Sequence, residues 1–502
     1  ITNLLVEMSE RASMGQNNYK EHLETLENRH LNPIEYFIPL THQSEIISFL
    51  KSQLNELEEV VESLFTLNEL TSKSLAKILS YGEILSSTII YNILKYKACD
   101  AVLKDSRELI FTYSIDDREI VNQKQSEKAT KAFLKKNNSK IILIPGFIAQ
   151  DEEGNTSTLG RGGSDFTASL IANYSNATHL EIWTDVSGMY TAHPKLVSQA
   201  IPISKLSYHE AMELSHFGAK VIYPPTLQPL IDKNIPVIIK NTFEKEAQGT
   251  LINAKGNPKG EGSIVKGISH IDDVVLISLE GSGMIGIPGF SKRFFECLSQ
   301  KHINIIMITQ ASSEHSICIG VRSEDATLAK KTIDNHFTFE ISVQKVTAAK
   351  IESNMSNIAV VGDRMKDHQG ISGKLFSSLG ANNVNIRAIA QGASERNISI
   401  VIDKKIINTL DNKTSNNVFK LRAIRLVSVK YLGNFNVQYN ICKFTCSFIM
   451  NPFNFAITIL CDFNRTVPGP DENTFFAAIA LKRFQLSISY FGFCDLANYF
   501  CW

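Results

Sequence analysis

Residues Thr158-Leu159-Gly160-Arg161-Gly162-Gly163-Ser164-Asp165 carry the densest chemical signal in the chain. Glycines let a backbone approach a ligand closely, and the free N–H groups of a helix that starts there favour an anion. Arg161 in such a turn offers a planar fork that holds a carboxylate through two hydrogen bonds. Asp165, on the first helical turn, either caps the helix or orients a group near a transferring phosphate. A tight turn with a structural Arg–Asp pair is the alternative for this octapeptide on its own. A second polar block, Trp183–Lys195 (WTDVSGMYTAHPK), follows an apolar run. The carboxyl end of a parallel strand is where α/β sheets bind ligands. There Asp185 suits a metal or a ribose, Tyr190 a base, and Lys195 a phosphate; a polar surface loop is the competing interpretation. In a third block, Phe217–Pro224 (FGAKVIYP), Lys220 sits beside small residues just after a helical segment. A lysine there is more often a solvated C-terminal charge than a ligand.

The elements that position these blocks can be read from periodicity. Residues 1–140 are mainly helical in pattern: over Ser44–Phe65, Ile46, Ile47, Leu50, Leu54, Leu57, Val60, Val61 and Leu64 recur at helical spacing, and Leu75–Leu94 is similar. The pattern then changes. Lys140–Gly146 (KIILIPG) is a short continuous apolar run, as in a buried parallel strand. Phe166–Tyr174 and His209–Phe217 read as helices, Leu180–Thr184 and Pro236–Lys240 as strands. Such alternation predicts an α/β layer with a mainly parallel sheet.

Beyond a Gly/Lys/Pro-rich linker at residues 253–264 lies an internal repeat. Gly289–Ile317 aligns without a gap on Gly370–Ile398, so that Phe295 meets Phe376, Asn304 meets Asn385 and Gln310 meets Gln391. Each copy reads strand, loop, helix, strand, turn, strand, which predicts paired small α+β modules. Gln310 and Gln391 fall at equivalent strand ends, where an amide either stabilises a turn or binds the α-amino and carboxylate groups of an effector. Gly281–Gly286 fits G-x-G-x-x-G, but the next strand ends in Gln310, without an acidic residue, and the second copy does not carry the pattern. A dinucleotide site is therefore not expected. Residues 404–430 are polar and Asn-rich, and 431–502 are rich in Phe, Tyr and Cys without a period.

Composition excludes some classes. Lys plus Arg number 51, as do Asp plus Glu, so the 502-residue chain has no net charge and no basic excess for general nucleic-acid binding. Its length predicts about three domains. No run of about 20 apolar residues suggests a membrane span. Ile1–Met8 lacks the features of a signal peptide, and the chain opens without methionine. Of eight cysteines, three are scattered over the first 400 residues and five crowd the tail; none forms Cys-x-x-Cys, so no zinc site is expected. A cytoplasmic location is expected, or a plastid for a plant source.

The three polar blocks, in order and at their spacing, resemble aspartate kinases, as do Met212–Pro224 (MELSHFGAKVIYP) and Lys240–Ile252. Upstream, Ile1–Leu5 (ITNLL) is similar to the family's segment near the substrate site, and Ser80–Ser86 (SYGEILS) to its Gly-Glu helix start. The repeat resembles the family's paired ACT modules, with wording nearest the bifunctional aspartokinase/homoserine dehydrogenases. The resemblance covers roughly residues 1–402. It implies an amino-acid-kinase fold over 1–252, a linker at 253–264, ACT modules at 265–345 and 346–403, and an unassigned tail at 404–502. It implies transfer of the γ-phosphoryl group of ATP, as its Mg2+ complex, to the side-chain carboxylate of L-aspartate. Thr2, Glu83, Arg161 and Ser164 would meet aspartate, Asp165 and Arg161 would serve the reaction centre, and Thr184, Asp185, Tyr190, Lys195 and Lys220 would line the ATP site. Lys195 stands where many members have arginine, which keeps the cation and loses the fork. Gln310 and Gln391 would bind an allosteric amino acid, threonine in preference to lysine, in a homodimer or larger assembly. The family's Lys-Phe-Gly-Gly-Thr-Ser strand does not occur in the chain, nor does a dehydrogenase domain, so little kinase turnover and no dehydrogenase activity are expected of this polypeptide; a catalytically dead amino-acid-sensing protein derived from an aspartate kinase is the alternative to an active kinase.

Overall fold

The computed structural model describes residues 1–115, 118–197, 199–218, 221–256, 264–310, 314–366, 368–392, 394–408, 446–450 and 456–460. Four helices come first: α1 (Thr2–Ser13), α2 (Tyr19–Phe37), α3 (Ser44–Leu67) and α4 (Ser72–Tyr96). In α3 the apolar positions at three- and four-residue spacing are the buried ones, and Asn68 ends the helix in the left-handed conformation. Thr71 caps α4 by accepting the Ser74 N–H at 3.0 Å. The helices share one core that includes Leu5, Met8, Leu26, Leu57 and Ile78.

His30 lies inside this helical core with no exposed surface. Its Nδ1 is 2.7 Å from the Leu26 carbonyl, and Nε2 has no hydrogen-bond partner. Burial is the main cause that lowers its pKa to about 4 from 6.5, outweighing the backbone hydrogen bond. The unfolded chain thus binds one more proton than the folded chain between those values. Stability is full above about pH 6.5 and falls as pH drops toward 4, by about 3 kcal/mol in total at ~1.4 kcal/mol per unit. We predict that His30→Leu flattens this part of the stability–pH profile in urea titrations, whereas the unsubstituted chain loses stability steadily across it.

After the helices come β1 (Ala101–Leu103), the hairpin β2 (Thr112–Ile115) and β3 (Arg118–Val121), α5 (Gln123–Lys136), β4 (Ile141–Pro145), and the hairpin β5 (Ile148–Gln150) and β6 (Thr156–Thr158). Next are α6 (Gly163–Tyr174), β7 (His179–Thr184), β8 (Lys205–Ser207), α7 (Tyr208–His216), α8 (Gln228–Ile231), β9 (Val237–Asn241) and β10 (Thr250–Asn253). β4 is buried along its whole length, as its continuous apolar run requires.

The tail contributes β17 (Cys446–Met450) and β18 (Ala456–Leu460), an antiparallel hairpin that joins the same sheet. The eight strands lie in the order β1-β4-β18-β17-β7-β9-β10-β8. β18 runs parallel to β4, and β17 antiparallel to β7. Hence β1, β4, β18, β7 and β9 all point the same way, and the sheet is mixed only at β17 and at the β10/β8 edge.

The second half is one six-stranded antiparallel sheet, ordered β12-β13-β11-β14-β16-β15. The first copy supplies β11 (Gly267–Glu280), α9 (Phe290–Ser299), β12 (Ile305–Gln310), β13 (Ser316–Arg322), α10 (Ala326–His336) and α11 (Thr338–Ser342). The second supplies β14 (Lys350–Val361), α12 (Ile371–Ala381), β15 (Ile386–Ala390), β16 (Asn397–Asp403) and α13 (Lys404–Asn408). The long strands β11 and β14 pair at the centre and join the copies. Of the G-x-G-x-x-G pattern, Gly281 has a packing role: a Cβ there would lie 2.3 Å from the Lys345 carbonyl oxygen. Its counterpart Gly362 faces the Ile264 carbonyl in the same way, at 2.2 Å. The first glycine thus marks a backbone crossing shared by both copies.

A buried polar joint connects the halves. Ser207 and Glu210 form a capping box at the start of α7. Glu210 Oε2 accepts the Ser207 N–H at 2.9 Å, and its Oε1 accepts the Asp363 N–H at 3.1 Å. The Ser207 hydroxyl donates to the Asp363 carboxylate, which Arg396 Nε also reaches at 3.1 Å. Asn397 Nδ2 donates to Glu213 Oε2 at 2.5 Å, and Ser269 Oγ to the Leu214 carbonyl at 3.1 Å. Burial raises the Glu210 carboxyl above its usual range and lowers the nearby Lys266 ammonium. Among the described residues, no helix is long and apolar enough to cross a membrane.

Candidate functional site

The Gly-rich turn sits on the end of β4. Leu159 N–H donates to the Phe147 carbonyl at 2.8 Å, and Phe147 N–H to Thr167 Oγ1 at 3.1 Å. Thr167 Oγ1 in turn donates to the Gly163 carbonyl at 2.9 Å. Gly160 and Gly162 are left-handed, with φ of 67° and 68°. At Gly162 a Cβ would lie 2.5 Å from the Tyr223 Cβ, so the first and third polar blocks are in contact. Arg161 is exposed at the tip of the turn, while Ser164 and Asp165 are buried on the first turn of α6.

Gly82 and Glu83 lie in the middle of the 25-residue helix α4, rather than at the helix start suggested by the motif. The reason for a glycine there is packing: a Cβ at Gly82 would lie 3.0 Å from Ile1 and 3.3 Å from Leu5. The start of α1, with Thr2, therefore rests against α4 beside the buried Glu83. α4 also packs on β4 and β6, and β6 leads into the Arg161 turn.

Thr184, Asp185 and Tyr190 are brought together after β7. Thr184 Oγ1 donates to Asp185 Oδ1 at 3.1 Å, and the Thr184 carbonyl accepts the Thr242 N–H at 2.8 Å. Tyr190 is half-buried; burial raises its pKa most, with Glu244 adding to the rise and the nearby Ser187 hydroxyl opposing it. Lys195 stands apart, exposed on the next loop. That loop leans on the second half of the chain, for the Thr191 carbonyl accepts the Ile268 N–H at 2.8 Å and His193 meets His270 edge-on. Lys220 lies outside the described residues. Gln310 ends β12 and Gln391 follows β15, both exposed, so the repeat register places them equivalently. Among the described residues, no group of three His, Cys, Asp or Glu side chains could hold a metal ion.

Sequence reasoning did not single out Ser187, Asn241 or Thr250, which tie down the loop after β7. Asn241 Nδ2 donates to Ser187 Oγ at 2.8 Å, and Thr250 Oγ1 accepts the Met189 N–H at 2.8 Å. Their polar types inside an otherwise apolar strand pair were the available signal.

The comparisons with known proteins agree with this architecture. The amino acid kinase family profile matches residues 14–241, and an ACT domain profile matches residues 277–337 and 358–409. Residues 14–241 thus form a domain of the amino acid kinase family, with ACT domains behind it. Its relatives within that family are aspartokinases. The bifunctional aspartokinase/homoserine dehydrogenase 1 of Arabidopsis thaliana, a chloroplastic protein, is 31% identical over 409 residues, covering 81% of this chain and 45% of the relative. The chain thus spans just under half the length of this relative. Escherichia coli aspartokinase III, solved in the R-state with aspartate and ADP, superposes with a TM-score of 0.69 at 25% identity, over 83% of this chain and 90% of that one. The T-state of the same enzyme, with lysine and aspartate, gives 0.63 at 26% identity, over 82% and 89%.

The two left-handed glycines separate two effects. A Cβ at Gly160 meets nothing within 4 Å, so Gly160→Ala should cost only the strain of the left-handed region, about 1–2 kcal/mol. Gly162→Ala adds the overlap with Tyr223 and should cost clearly more. Urea denaturation of both variants checks the order.

Proposed function

We propose that this chain is an aspartate kinase with attached amino-acid sensors. The reaction is attack of the side-chain carboxylate of L-aspartate on the γ-phosphorus of Mg-ATP. The new P–O bond forms as the bond to the β–γ bridging oxygen breaks, giving 4-phospho-L-aspartate and ADP. What carries the proposal is the Arg161 turn at the start of α6, set on the end of β4, with the Thr184–Tyr190 loop at the end of co-directed β7.

In this reading the Arg161 fork takes a carboxylate of aspartate, and Glu83, with Thr2 beside it, takes the ammonium. Asp165 and Ser164 stand at the reaction centre, near the positive end of α6. Thr184, Asp185, Tyr190, Lys195 and Lys220 serve the nucleotide. Mg2+ enters with the triphosphate, in keeping with an ion that retains water and phosphate ligands and needs few protein carboxylates. Phosphoryl transfer depends mainly on positioning and charge neutralisation, so the site needs gripping residues more than a protein base. Gln310 and Gln391 serve the effector, threonine first and lysine second, in an assembly that pairs ACT modules between subunits. The relatives' bound aspartate, ADP and lysine support these assignments.

The test is ADP release that requires aspartate and yields an acyl phosphate trapped by hydroxylamine, beside calorimetric titration of aspartate. Arg161→Ala should weaken aspartate binding by about tenfold or more, since a charge-assisted pair is worth about 1.5–3 kcal/mol. Arg161→Lys should recover only part of it. Neither binding nor phosphorylation of aspartate by the unsubstituted chain would overturn the assignment.

A further inference from the structure

We propose that Ser187, Asn241, Glu244 and Thr250 are positioning residues that hold the nucleotide-facing loop in its working shape. The inference rests on the reading that residues 184–190 face the nucleotide.

β9, β10 and the segment between them fasten the loop at three points, beside a backbone bond in which the Met189 carbonyl accepts the Ile203 N–H at 2.7 Å. At its start, the Thr242 N–H donates to the Thr184 carbonyl at 2.8 Å. In its middle, Ser187 Oγ accepts from Asn241 Nδ2 at 2.8 Å and donates to Glu244 Oε2 at 2.7 Å. The Asn241 amide is itself fixed, because its Oδ1 accepts the Phe243 N–H at 2.9 Å.

The third point is Thr250, which has no exposed surface. Its Oγ1 accepts the Met189 N–H at 2.8 Å and donates to the Ile203 carbonyl at 2.6 Å. Both hydrogen-bonding capacities of one hydroxyl are thereby used between two backbone segments. The loop lies directly on this group: at Gly188, with φ of 112°, a Cβ would fall 2.3 Å from Thr250 Oγ1. Only glycine accepts both that conformation and that approach. The hydroxyl thus decides how closely the Gly188 backbone rests on β10, and with it the direction in which Asp185 and Tyr190 leave the sheet. Such residues act through the loop, without touching the nucleotide.

Calorimetric titration of the full chain with ADP, and separately with aspartate, tests this. Thr250→Val keeps the shape but strands the Met189 N–H and the Ile203 carbonyl. It should weaken ADP binding by about tenfold, part of the effect of two lost buried hydrogen bonds, and leave aspartate binding within about twofold. Thr250→Ser, which keeps the hydroxyl, should restore ADP binding. Ser187→Ala, a smaller change, should show the same selective loss and serves if Thr250→Val does not fold, as judged by circular dichroism. ADP affinity unchanged in folded Thr250→Val or Ser187→Ala overturns the proposal. So does equal loss of ADP and aspartate, which would mark general damage. An unsubstituted chain that binds no ADP would instead overturn the nucleotide reading itself, and the proposal with it.

Discussion

Glu210 stands where two demands on one carboxylate meet. One oxygen satisfies the N–H of Ser207 at the start of α7, and the other satisfies the N–H of Asp363 at the turn after β14. Only the Asp363 N–H crosses from the second module, so parting it from the kinase domain would break that bond, worth about 0.5–1.5 kcal/mol net, and leave the Ser207 cap within α7. Burial raises the Glu210 carboxyl, and the lowered Lys266 ammonium beside it shows the same desolvation. The arrangement keeps α7, and the Phe217-Gly218 turn after it, in register with the sensing half. At Gly218 a Cβ would lie 1.9 Å from the His270 carbonyl oxygen, so this register is close-packed along the whole helix.

The two sensing modules are alike in fold and unlike in employment. At the position after the shared glycine crossing, the first copy has Ser282 and the second has Asp363. Only the second residue faces α7, where it meets Ser207 and Arg396. Arg396 and Asn397 follow Gln391 within six residues and contact Asp363 and Glu213 respectively. Both modules therefore touch the kinase domain at this joint, the first through Ser269 and His270 of β11 and the second through Asp363 and Asn397.

Much of this architecture is legible in the sequence where a period runs long enough. α3, α4, α6, α7, β4, β7 and β9 fall where apolar spacing puts them, and the repeat register matches α9 with α12 and β12 with β15. β1, β8 and β10 have three or four residues, too few for any period to emerge. Gly82 misleads because glycine usually marks a helix boundary; here the close approach of Ile1 offsets the roughly 1 kcal/mol that an interior glycine costs. The turn around Arg161 was legible from residue types alone. The fastening of the neighbouring loop by Asn241 and Thr250 was not, because it depends on which strands lie side by side. The tail hairpin was hidden for a related reason: CSFIM and AITIL are five residues each in a Phe-rich stretch without a period, too short to stand out.

The place of that hairpin bears on how the molecule assembles in time. β4 and β7 are made early, yet the strands between them are read more than 260 residues later than Thr184, at Cys446–Leu460. As the chain leaves a ribosome, the kinase sheet must wait, with the facing edges of β4 and β7 open, while both sensing modules emerge and fold. Strand pairing across such a separation is slow, and open apolar edges are sticky meanwhile. The gap between β4 and β7 is thus closed by the last-made strands, after both ACT modules have been made.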